Sequence, residues 1–61
     1  MAPTREEIAE ARREAGLTQA EAAAMIGRKR LTWHRWEKGD PVDIVRWEQF
    51  VLKTAKLRKK K

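Results

Sequence analysis

The chain has no cysteine and a single histidine, His34, among its 61 residues. A disulfide scaffold and a thiolate zinc site are therefore excluded, and one imidazole cannot make a histidine-rich metal centre. Long apolar runs are missing too. The longest is Ala22-Ala23-Ala24-Met25-Ile26, far short of the ~20 residues that a bilayer span needs. The opening MAPTREE lacks the charged-then-apolar pattern of a signal peptide, so a cytoplasmic chain is expected. No segment alternates apolar and polar residues long enough to read as a strand. No Ser-His-Asp arrangement or phosphate-cradling glycine loop is visible, and the acids fall in helix caps and on charged faces. The expectation is a non-enzyme with no cofactor, no metal and no membrane segment. A chain near this length buries only about 60% of its unfolded surface, which leaves room for one small domain and none for a ligand sensor.

What the chain does have is positive charge. Fifteen Lys and Arg oppose nine Asp and Glu, for a net +6, and that excess suits a polyanionic partner. It is unevenly placed. Residues 1–27 carry 3 − 5 = −2, residues 28–38 carry 5 − 1 = +4, residues 39–52 carry 1 − 3 = −2, and residues 53–61 carry +6. Three Trp and one Phe supply anchors that a disordered tail lacks. Nine alanines favour helix over sheet. The expected class is all-α.

Capping signals divide the chain into four helical stretches. Thr4-Arg5-Glu6-Glu7 fits a capping box, in which the Thr oxygen and the Glu three residues later each satisfy an orphan amide. Ile8, Ala11 and Ala15 follow on one face, and Gly16 is a left-handed stop. Thr18-Gln19-Ala20-Glu21 repeats the box and opens a second helix through Ile26, stopped at Gly27. A third runs from about Arg30 to Lys38 and ends at Gly39. Asp40-Pro41-Val42-Asp43 opens the fourth, with Pro set in its first turn and acids at the positive end of the dipole. Its expected apolar face is Ile44, Trp47 and Val51, with Phe50 alongside.

Two short helices joined at a glycine turn, the second strongly basic, are the ingredients of a helix-turn-helix. Both are too short to be stable alone and must pack. Trp33 and Trp36 lie three apart and share a face. At ~100° per residue, the opposite side of that helix centres on Leu31, flanked by His34 and Arg35, with Lys38 below and Arg30 at the edge. Such a helix can be buried on its indole side and lie in a major groove on the other.

Residues 16–39, GLTQAEAAAMIGRKRLTWHRWEKG, resemble the helix-turn-helix of the lambda repressor/Cro (XRE-like) class. LTQAEAA is similar to that class's second helix, Gly27 stands at its turn glycine, and Trp33, Trp36, Glu37 and Gly39 match the end of its recognition helix. LTWHRWE and WEQFVLKT are also similar to small regulators of phages and mobile elements. The resemblance implies a compact four- to five-helix DNA-binding domain over residues 1–55, with 56–61 as a basic tail. Two positions depart from the pattern. Arg28 replaces the usual apolar residue after the glycine, and Lys29 stands where a Ser or Thr would cap the third helix.

On this reading Arg30 and Arg35 read bases, since a guanidinium donates bidentately to guanine O6 and N7. Leu31 can meet a thymine methyl, and His34 a base or phosphate. Gln19, at the amide-rich start of helix two, is expected on a phosphate, as are Arg28, Lys29, Thr32 and Lys38. Trp47, Phe50 and Val51 form the expected surface of a homodimer, which would supply affinity that one recognition helix lacks. The expected function is a sequence-specific (auto)repressor of double-stranded DNA with an inverted-repeat operator. Two rivals share these features, namely an antitoxin with a toxin partner and an RNA- or protein-interaction module.

Overall fold

The computed structural model describes residues 2–57; the expectations for Arg58 to Lys61 lie outside them. Four helices follow in order: α1 (Arg5–Glu14), α2 (Gln19–Met25), α3 (Arg30–Lys38) and α4 (Ile44–Thr54). Among the described residues there is no strand, as the composition leads one to expect.

Both capping boxes form. The Thr4 hydroxyl accepts from the Glu7 amide at 3.1 Å while a Glu7 carboxylate oxygen accepts from the Thr4 amide at 2.9 Å. Thr18 and Glu21 repeat those distances at the start of α2. Gly27 ends α2 at φ +69°, a left-handed backbone that costs an L side chain energy. This lets the Arg28 amide turn back to the Ala23 carbonyl at 2.9 Å, the closure that satisfies a helix's last carbonyls.

Packing then follows from the two tryptophans. Trp33 has no exposed surface and Trp36 only 4%, so α3 turns its indole face fully inward. Trp33 stands at the centre, with its ring 4.7 Å from Phe50, 5.4 Å from Trp36 and 6.4 Å from Trp47. Ile8 and Ala11 of α1, Ala22 and Ala23 of α2, and Ile26, which caps the end of α2, complete the buried cluster. Ala22 and Ala23 are completely buried, and their small side chains let α2 and α3 approach closely.

α4 differs from the expectation in two respects. Pro41 lies before the helix rather than in its first turn, and Asp43 is the N-cap, its carboxylate accepting from the Arg46 amide at 3.4 Å. The helix also presents a different face. Phe50 and Thr54 are buried and Trp47 is half-buried, whereas Ile44 is 37% exposed and Val51 is intermediate. Thr54 can occupy the inner face because its hydroxyl donates to the Phe50 carbonyl at 2.7 Å, as a buried hydroxyl requires.

The two ends of α4 are tied to the turn after α2 and to the last residue of α2 itself. Near its start Asp43 pairs with Arg28 at 3.1 Å, and near its end the Lys53 ammonium donates to the Met25 carbonyl at 2.8 Å. No helix among the described residues is long and apolar enough to cross a membrane.

Candidate nucleic-acid interface

With the indoles inside, the other side of α3 is open. Arg30, Leu31, Arg35 and Lys38 are exposed, Leu31 at 51%, while Thr32 and His34 are half-buried along its margins. The orientation deduced from the helical period is the one observed. Lys29, Arg30, Arg35 and Lys38 enter no ion pair among the described residues. Their charge therefore faces solvent, available to an external anion. Arg35 and Thr32 also line a shallow recess with Trp36, Asp40 and Pro41, between α3 and the loop that follows it.

The start of α3 lacks a side-chain cap. Lys29 holds the N-cap position with extended backbone and makes no capping hydrogen bond. Amides at the positive end of the helix dipole are left for another acceptor, beside the cations of Arg28, Lys29 and Arg30.

Two of the residues expected on phosphates are already engaged. Arg28 is half-buried and reaches Asp43, whose carboxyl is held below the usual carboxylate value first by that guanidinium and then by the Arg46 amide. Gln19 donates its side-chain N–H to Glu37 at 3.1 Å. Phe50 cannot line a dimer surface as it stands. It has no exposed area and sits against Trp33, because the inward face of α4 runs through Trp47, Phe50 and Thr54. Trp47 and Val51 keep partial exposure.

The residue that organises this region is Glu37, which the residue patterns gave no functional part. It accepts from three helices at once. Arg12 Nε of α1 donates at 2.6 Å, Gln19 Nε2 of α2 at 3.1 Å, and Trp33 Nε1 of α3 at 2.6 Å. Burial by itself would raise the pKa of Glu37, but the Arg12, Trp33 and Gln19 donors outweigh it and hold the carboxyl below its ordinary value. Trp33 and Glu37 are one helical turn apart, a spacing that could have revealed their hydrogen bond. The Arg12 and Gln19 contacts cross 25 and 18 residues of chain and leave no local signature.

A family model described as a helix-turn-helix domain matches residues 5–56. The chain belongs to this family. The matched span takes in all four helices, and a helix-turn-helix domain is an architecture of DNA-binding regulators. No curated protein and no solved structure gives a significant match to this helix-turn-helix chain.

Proposed function

We propose that this helix-turn-helix domain is a sequence-specific repressor that lays α3 in the major groove of double-stranded DNA. The observation that carries the reading is the division of α3 into two sides. Trp33 and Trp36 are buried, while Arg30, Leu31, Arg35 and Lys38 are exposed and the cations among them have no ion-pair partner among the described residues.

Arg30 and Arg35 read base edges as bidentate donors, Leu31 meets a thymine methyl, and His34 reaches the groove from the margin. Lys29, Thr32 and Lys38 hold phosphates, with Gln19 beside them at the start of α2. Arg28 joins them by exchanging Asp43 for a phosphate. One recognition helix spans only a few base pairs, so the domain acts as a homodimer on an inverted repeat, repressing its own promoter by occupying it. Trp47 and Val51 belong to the dimer surface. Two copies bring 2 × (+6) = +12 charges, so affinity falls steeply with salt.

Selection of bound duplexes from a random pool tests the reading. The expected product is an inverted repeat of short half-sites. Recovery of unrelated duplexes would reduce the domain to a non-specific binder, and better competition by RNA than by duplex DNA would reject the major-groove reading.

A further inference from the structure

The α1–α4 side of the molecule has no role in the interface described above. Glu7, Glu10 and Glu14 follow helical spacing along α1 and, with Pro3, Ala11 and Trp47, line an open groove. Trp47 is also a wall of a second groove, formed along α4 by Ile44, Glu48, Val51 and Leu52. The two grooves adjoin at this indole and offer four carboxylates beside an apolar floor, with no cation in either lining. Trp47 lies 6.4 Å from Trp33, and neither groove is lined by any residue of α3.

Charge decides what fits. Glu48 stands in the middle of the exposed stripe of α4, one turn from Ile44 on one side and from Val51 and Leu52 on the other. Two such stripes packed symmetrically about their centres would oppose Glu48 to Glu48, which like charge disfavours. The occupant must instead bring cations and an apolar anchor together. The chain itself holds such a stretch in residues 56–61, Lys-Leu-Arg-Lys-Lys-Lys, with five cations around Leu57. Leu57 is 49% exposed.

We propose that the joined α1–α4 grooves receive residues 56–61 of a second copy, reciprocally across a two-fold axis. Leu57 lies against the apolar floor at Trp47, and the flanking Lys and Arg face Glu7, Glu10, Glu14 and Glu48. This rests on the homodimer proposed above and specifies what holds it together. Such a dimer differs from an apolar one in its response to salt, because exposed ion pairs are screened.

Two charge-reversed full-length chains test it, with the oligomeric state measured by sedimentation equilibrium in the absence of DNA. One carries Glu10→Lys and Glu14→Lys, the other Lys59→Glu, Lys60→Glu and Lys61→Glu. Glu10 and Glu14 are exposed and make no side-chain hydrogen bond among the described residues, and circular dichroism checks that both variants keep the native helical signal. The wild-type dimer should weaken at least about tenfold between low and moderate salt. Each variant alone should be monomeric. Mixed, the two should form a heterodimer, because the unchanged acidic groove of the second then meets the unchanged basic tail of the first, while the first's groove, with two Lys against Glu7 and Glu48, no longer repels the acidic tail. Wild-type dimers that both variants retain unchanged would overturn this docking while leaving the homodimer intact. Wild-type monomers at high micromolar concentration would overturn both.

Discussion

Glu37 accepts the indole N–H of Trp33, one turn earlier on the same helix, at 2.6 Å, and the same carboxylate oxygen accepts from Arg12 at 2.6 Å. Among the described residues, the most buried tryptophan and the most sheltered ion pair thus meet on one atom. The Arg12 and Glu37 side chains retain only 18% and 12% exposure, so little water competes for these bonds. The carboxylate holds α1, the start of α2 and α3 in one arrangement.

Replacing Glu37 by Gln keeps the shape but removes the charge that three donors share. The expected cost is about 2 kcal/mol, in the range for hydrogen bonds to charged groups, read from urea unfolding. The pH dependence has a definite sign. The folded-state pKa lies below the ordinary 4.5, so the stabilisation is complete above about pH 5 and is lost as pH falls through the lower folded value. The gap between wild type and Glu37→Gln should therefore narrow as pH falls below about 5. A gap independent of pH would mean that the charge contributes nothing.

Phe50→Ala should be severe. Truncating a buried Phe costs about 3–5 kcal/mol, and a chain of this size has roughly 3–9 kcal/mol in total. Leu52→Ala, at a position 76% exposed, should stay within about 0.5 kcal/mol. Thermal melts followed by circular dichroism separate the two. Similar melting temperatures would contradict the rotation of α4 that buries Phe50.

Lys29→Ser should move stability and DNA binding in opposite directions. Serine supplies the missing cap of α3, worth about 0.5–1 kcal/mol, while one phosphate contact is lost. Melting temperature should rise, and the slope of log affinity against log salt should become shallower by about one. An unchanged slope would take Lys29 off the backbone.

Arg35→Ala should relax selection at one operator position and cost about 1–3 kcal/mol there. Lys38→Ala should weaken all duplexes to a similar degree. Binding titrations against single-base variants of the selected operator distinguish them, and uniform weakening by Arg35→Ala would make that residue a phosphate clamp.

Local chemistry made much of this domain legible. Thr4 with Glu7 and Thr18 with Glu21 announce two helix starts because a capping box is complete within four residues. The inward turn of Trp33 and Trp36 follows from helical period alone. The face of α4 was harder, since Ile44, Trp47 and Val51 describe as plausible an apolar stripe as Trp47, Phe50 and Thr54. The choice rests on Thr54, a polar residue that burial tolerates only because its hydroxyl finds the Phe50 carbonyl. Pro41 misleads for a related reason, because Asp43, two residues later, offers the better cap. The Glu37 cluster joins residues far apart in the chain, and only the packed structure brings its donors together.

The attachment of α4 at Asp43–Arg28 and Lys53–Met25 makes the last helix a splint across the bend that aims α3. Arg28 cannot turn to an outside anion without releasing Asp43, and the start of α4 would then lose this tie while the Lys53–Met25 bond still held its end.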